Sequence, residues 1–224
     1  MNVILFGATG MVGAAALREC LQDPRVASVI AVVRSPTGVT HAKLREVNHD
    51  DYFQYDSLIG EFKRSDACFF CLGVSSAGKG EADYTRLTFD LTLAAAKAMV
   101  AANPSMTFCY VSGEGTDSTE RGRVMWARVK GRTENAILAL PFKAAYMFRP
   151  GYIHPMHGMR SKTWWVQAAY AVMVPLYPLL RRVAPRYLTT TETLGRAFIQ
   201  VADRGYDKPV LDTRDINKVG AVGP

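Results

Sequence analysis

The chain is poor in the residues that mark specialised classes of protein. It has four cysteines and four histidines in 224 residues, too few and too scattered for a disulfide scaffold or a zinc ribbon. Cys20, Cys68, Cys71 and Cys109 all lie in apolar stretches, as reduced core thiols do in a reducing compartment. There is no internal repeat, no low-complexity tract and no linker-like segment, which argues against a solenoid or a disordered tail. Charged residues make up 21% against 49% hydrophobic, excluding wholesale disorder, collagen and coiled coil. Lys+Arg exceed Asp+Glu by 27 − 20 = +7. That balance suits an anionic ligand but is too diffuse to point to nucleic acid. The start, Met1–Gly7, shows neither a basic region nor a cleavage site, so the expectation is no leader and a cytoplasmic location.

What is present is rhythm. Strands are expected at Val3–Phe6, Val29–Val33, Arg45–Val47, Ala67–Leu72, Thr107–Ser112 and Lys143–Phe148, with a last one at Val210–Asp212. Helical patterns fill the gaps at Met11–Leu21, Thr85–Ala102 and Trp126–Leu138. Alternation of this kind predicts an α/β fold with a doubly wound parallel sheet covered on both faces. The rhythm breaks after Tyr152, where Pro155, Pro175, Pro178 and Pro185 appear. The expected organisation is a main unit over 1–153 and a small part over 154–224 that packs on it and covers a site. Within that part, Thr189–Glu192 opens a helix to about Ala202 with a capping-box-like Thr and Glu.

The sharpest motif is Gly7-Ala8-Thr9-Gly10-Met11-Val12-Gly13. It follows one expected strand and opens an expected helix, the context that gives a glycine pattern meaning. Gly7 permits a tight turn, Gly10 lets a pyrophosphate approach the backbone, and Gly13 permits close helix–strand packing. The amides of Met11, Val12 and Gly13 at the helix start favour an anion, and Thr9 adds a hydroxyl.

The G-x-x-G-x-x-G spacing resembles the short-chain dehydrogenase/reductase superfamily, which has a Rossmann fold. The pieces Cys71-Leu72-Gly73, Val129-Lys130-Gly131 and Phe148-Arg149-Pro150-Gly151 are similar to its atypical branch of Tat-interacting-protein-like oxidoreductases. The resemblance runs in order through about residues 1–153. It implies an NAD(P)-binding domain in which Leu72 and Gly73 pass the cofactor and Pro150 and Gly151 wrap the nicotinamide. By the same resemblance Ser112 holds a substrate carbonyl and Lys130 binds the nicotinamide ribose.

Nucleotide choice follows from the second strand. Sites for NAD place a carboxylate there to hold the ribose 2′-OH. Here the segment ends in Arg34-Ser35-Pro36, and a guanidinium pairs with a 2′-phosphate instead. NADP(H) is therefore expected over NAD(H). The resemblance also places Asp50 or Asp51 against the adenine, with Asp51 preferred.

One departure stands out. The superfamily carries a tyrosine four residues before the lysine, on the same helical face. That position holds Trp126, whose indole N–H donates but does not titrate usefully. The proton then comes from another group (His154 and Tyr152 are the candidates), from water, or from the polar loop Gly113–Gly122, read as a substrate loop that orders on binding. The alternatives are a non-catalytic NADPH sensor, and an epimerase or dehydratase acting on a nucleotide sugar.

Four further signals complete the reading. Cys68-x-x-Cys71 lies in a strand, so its thiols face opposite ways and form no redox pair. His154-x-x-His157 has no cysteine or acidic cluster nearby, so no metal is expected. Trp164–Leu180 is apolar, flanked by Arg and Lys, and just short of a spanning helix; it reads as a lid, an oligomer interface or a peripheral lipid contact. The alanine-rich Leu91–Ala102 offers a face to a second copy. The expected partner is a small-molecule substrate.

Overall fold

The computed structural model describes residues 1–157 and 185–221. The apolar stretch Trp164–Leu180 lies outside them. Nine strands are described: β1 (Asn2–Phe6), β2 (Ser28–Val33), β3 (Leu44–Asn48), β4 (Ala67–Phe70), β5 (Thr107–Val111), β6 (Ala144–Arg149), β7 (Tyr152–His154), β8 (Leu188–Thr190) and β9 (Val210–Asp212). Seven form one sheet in the order β3-β2-β1-β4-β5-β6-β9, and every neighbouring pair is parallel. The order reverses direction between β1 and β4, which opens a crevice at the carboxyl ends of these strands. β7 and β8 pair separately, also in parallel.

The strands are near-continuous apolar runs because both faces are covered. Val3 and Leu5 of β1 enter one core, while Ile4 and Phe6 enter the other. The first core is roofed by α1 (Met11–Gln22), α6 (Thr191–Arg204) and α7 (Thr213–Gly220), with Leu17, Phe198 and Ile216 against Phe69 and Phe148. The second is roofed by α2 (Ile59–Arg64), α4 (Leu91–Ala102) and α5 (Met125–Leu138), with Phe62, Met99 and Ile137 against Phe70 and Phe108. Cys68 belongs to the second core and Cys71 packs against the first, so the two thiols do face opposite ways.

Several elements differ from expectation. The long helix begins earlier, as α3 (Glu81–Thr85), and passes through a π-helical turn at Arg86–Asp90 before α4. β4 stops at Phe70 and β5 at Val111, although the Cys71 amide still donates to Phe6 O at 3.0 Å and the Ser112 amide to Phe148 O at 2.9 Å. Thr190 is the N-cap of α6 and accepts from the Thr193 amide at 3.0 Å. Glu192 takes no part in that cap and pairs with Arg196 instead. The capping box is found on α7, built by Asp212 and Asp215. β9 and α7 complete the main sheet and its core, so residues beyond 153 do more than cover a site. No helix among the described residues is long and apolar enough to cross a membrane.

Candidate active site

The glycine turn occupies the crevice between β1 and β4. Gly7 adopts φ +80°, and a Cβ there would stand 2.7 Å from the Cys71 carbonyl oxygen. At Gly13 a Cβ would stand 2.1 Å from the Gly7 carbonyl oxygen, so only glycine lets α1 lie this close to the turn. The Gly10 amide closes the turn onto Gly7 O at 2.9 Å. Gly10 is the N-cap of α1 and brings no side-chain cap. A Cβ at Gly10 would meet only the Gly7 oxygen, at 3.4 Å, so the backbone above the helix start is open. Leu72 and Gly73 follow β4 on the other wall, and nothing stands within 4 Å of a Cβ built at Gly73. An open amide-lined cradle at a helix start fits the pyrophosphate of a dinucleotide.

Beside this turn a cavity of about 720 Å³ separates α1 from the segment after β2. Thr9, Arg18, Ser35 and His41 are among its polar lining. Arg34 is exposed at the end of β2, with its guanidinium 5.8 Å from the centre of the Tyr52 ring. Asp51 is exposed too, but its carboxylate accepts from the Phe53 amide at 2.9 Å and so serves its own turn. The buried His49 stacks on Tyr55 at 5.3 Å and meets Tyr52 edge-on at 5.6 Å. This aromatic group after β3 is not anticipated from the sequence, although the His-x-x-Tyr-x-x-Tyr spacing is visible there.

The other end of the site is built by β5, β6 and α5. Lys130 Nζ donates to the Ser112 main-chain carbonyl, at the carboxyl end of β5. Ser112 Oγ donates to the Glu134 carboxylate and also lies 3.1 Å from Phe148 O. Glu134 is 1% exposed and accepts from Arg149 Nε at 3.0 and 3.1 Å, with Arg149 Nη2 on the same carboxylate. Trp126, Lys130 and Glu134 recur every four residues and share one face of α5. The Trp126 ring lies over Gly115, 3.4 Å from where a Cβ would be. Burial pushes the Lys130 ammonium down to about 8, against the opposing pull of Glu134. Ser112, Trp126 and Lys130 are thus brought together, but the serine hydroxyl is engaged by Glu134. Sequence reasoning misses the Glu134–Arg149 pair; its one visible trace is an acid four residues after Lys130.

Pro150 and Gly151 follow β6 on the same side: Pro150 O accepts from Glu114 N at 2.9 Å, and Gly151 N donates to Thr213 Oγ1 at 2.8 Å. Tyr152 and His154 lie on β7, opposite Leu188 and Thr190, and burial lowers the imidazole pKa. The loop 113–122, expected to order on binding, is already docked. Asp117 N donates to Ala127 O at 3.1 Å, Asn135 donates to Ser118 O at 3.0 Å, and Asp117 accepts from the Gly122 amide at 2.6 Å. Gly131 makes this docking possible, since a Cβ there would stand 1.8 Å from Asp117 O. No cluster of three or more potential metal ligands occurs among the described residues.

Comparison with known proteins bears on this geometry. The profile of the NAD dependent epimerase/dehydratase family matches residues 3–119. Protein FMP52-1, mitochondrial, of Scheffersomyces stipitis is 29% identical, covering 68% of this chain and 67% of its own length. Leucinostatins biosynthesis cluster protein T of Purpureocillium lilacinum is 26% identical, covering 99% and 89%. Among solved structures, Gre2 in complex with NADPH from Candida albicans superimposes with a TM-score of 0.67 at 12% identity, covering 95% of this chain and 78% of its own. MoeE5 in complex with UDP-glucose and NAD gives 0.65 at 17% identity, covering 99% and 81%. These likenesses establish the Rossmann-type fold. They also correct one expectation: several relatives near 29% identity carry "mitochondrial" in their names, which overturns the cytoplasmic assignment. Reduced thiols report a reducing environment without saying which compartment provides it, and the first few residues are too short a stretch to decide targeting.

Proposed function

Because the chain belongs to the NAD dependent epimerase/dehydratase family, an extended short-chain dehydrogenase/reductase lineage, we propose that it is an NADP(H)-dependent oxidoreductase. It acts on a small or hydrophobic carbonyl and sits nearest the Tat-interacting-protein-like branch. The observation that carries the nucleotide choice is the segment after β2. It offers Arg34 where a carboxylate would reject a phosphate, beside a cavity with Thr9, Ser35 and Arg18 in its lining. When bound, the reduced nicotinamide supplies a hydride. The chain's own residues bind and orient. The glycine turn and the start of α1 hold the pyrophosphate, Arg34 and Ser35 hold the 2′-phosphate, and Lys130 reaches the ribose from its anchor on Ser112.

A second reading, a non-catalytic NADPH sensor, is favoured by the commitment of the Ser112 hydroxyl to Glu134 and by Trp126 at the tyrosine position. Calorimetric titration with NADPH and NADH at matched ionic strength, on native protein and Arg34→Ala, tests the cofactor choice. The expected result is a preference for NADPH of about ten- to a hundredfold, the worth of a charge-assisted hydrogen bond. Arg34→Ala should bring NADPH down toward NADH. Equal affinities in the native protein would remove the NADP preference. No binding of either would remove the function.

A further inference from the structure

We infer that the Lys130 ammonium itself donates the proton to the substrate oxygen, in the role that a tyrosine four residues earlier would fill; this rests on the oxidoreductase reading above. At the acid's customary position stands Trp126, whose indole does not give up its proton near neutrality. The Ser112 hydroxyl points at Glu134, with Phe148 O behind it. His154 is held toward its neutral form by burial, which makes it a poor acid at pH 7. Lys130 Nζ is fixed at the carboxyl end of β5 by the Ser112 main-chain carbonyl, on the same face of α5 as Trp126. An ammonium has three N–H donors, so others remain for a ribose hydroxyl and a substrate oxygen.

The electrostatics suit the task. Among the described residues, the charged group that acts on Lys130 is Glu134 on its own helix, and that carboxylate is itself paired with Arg149 on β6. Desolvation therefore dominates, and the ammonium titrates near pH 8, close to where a general acid is most effective. In the reaction, the carbonyl carbon gains a hydride with its two electrons and a C–H bond forms. The C=O π pair moves onto oxygen, one N–H bond of Lys130 breaks, and an O–H bond forms. The carbonyl is reduced to an alcohol while the nicotinamide is oxidised, and the neutral amine regains its proton from water.

The test compares native protein, Lys130→Arg, and Lys130→Cys alkylated with 2-bromoethylamine, with native protein treated identically as control. The alkylated side chain restores an amine of lower basicity at the same reach, whereas arginine keeps its charge and releases no proton near neutrality. NADPH binding is followed by calorimetry in two buffers of different ionisation heat, which reports proton uptake directly. Single-turnover reduction of 4-nitrobenzaldehyde is then followed across pH. The expected outcome is that native protein takes up a proton on binding NADPH above pH 8, and Lys130→Arg does not. Lys130→Arg should bind NADPH more weakly, through its altered ribose contact, and at saturating NADPH should reduce the aldehyde about a hundredfold or more slowly. The alkylated variant should recover turnover with its pH bend moved down. Native-like reduction by Lys130→Arg, or an unmoved bend in the alkylated variant, overturns the proton role and leaves the oxidoreductase intact. Failure of the native protein to bind NADPH or to reduce the aldehyde removes the oxidoreductase reading, and this inference with it.

Discussion

The two ends of the site stand in different relations to their sequence. At the β1–α1 end everything is local: three glycines, one helix start and one neighbouring strand create the cradle. At the β5–α5 end the arrangement is tertiary. Lys130 depends on Ser112, Ser112 on Glu134, and Glu134 on Arg149 from another strand. The first end carries the whole glycine cradle in one stretch of chain, while at the second α5 presents Trp126 four residues before Lys130. On the oxidoreductase reading proposed above, binding a dinucleotide and using it are therefore separable, and a change in chemistry need not disturb recognition.

The sharpest way to break this contrast is to remove the keystone of the tertiary end. Glu134→Ala removes a buried carboxylate shared by Ser112 and the partly buried Arg149, and breaking an ion pair with a buried partner this way costs about 3–5 kcal/mol. Denaturant unfolding should show a loss of that size, with the glycine turn untouched. Retained stability would mean that the network is ornamental.

Lys130 gives the next largest effect, and its sign is definite. Its folded pKa lies near 8, below the free value of 10.5. The unfolded chain therefore binds more protons between these limits, and stability rises with pH across that window. The stability is fully present above 10.5 and is lost as pH falls to about 8; the span is roughly 3 kcal/mol. Lys130→Met should abolish this slope in parallel unfolding series, and at pH 7 it should unfold at a higher temperature than the native protein. An unchanged slope would place the titration elsewhere.

At the local end, Gly13→Ala forces a methyl against the Gly7 carbonyl, at a cost of about 1–3 kcal/mol. Nucleotide affinity should fall about ten- to a hundredfold by calorimetry, while the proton linkage of Lys130 persists. Trp126→Tyr should have the smallest effect. The smaller ring covers Gly115 less fully, at a cost of about 1 kcal/mol in unfolding experiments, and aldehyde reduction should gain modestly. Reduction that appears only in this variant would instead favour the sensor.

The same division between local and tertiary decides what the sequence makes legible. β1, β2 and β4 are legible because strands buried on both faces leave unbroken apolar runs. The glycine turn is legible because its parts are contiguous. α7 is hidden, since only Ile216 and Val219 of its eight residues offer large apolar side chains to the core, too sparse a signal. Thr189–Glu192 has the residue types of a capping box, but the backbone places Thr193, not Glu192, at the third position. The π-turn at Arg86–Asp90 has no signature in composition. The hydrogen bond from the Phe53 amide to Asp51 is visible only in the fold. The Glu134–Arg149 pair joins a helix to a strand, and nothing in either segment announces the other.

The far edge of the main sheet has a consequence for how the protein is made. β6 acquires its outer neighbour only when Val210 comes to lie beside Met147, after the intervening chain has turned through β7, β8 and α6. Until then β6 is an open edge with unpaired amides and carbonyls, able to template a strand from another molecule. Such distant pairing closes late, because its loop entropy must be met before its contacts form. During synthesis the nucleotide cradle can therefore assemble early, while β6 waits. Conditions that slow that last step should expose this edge and draw nascent copies into aggregates.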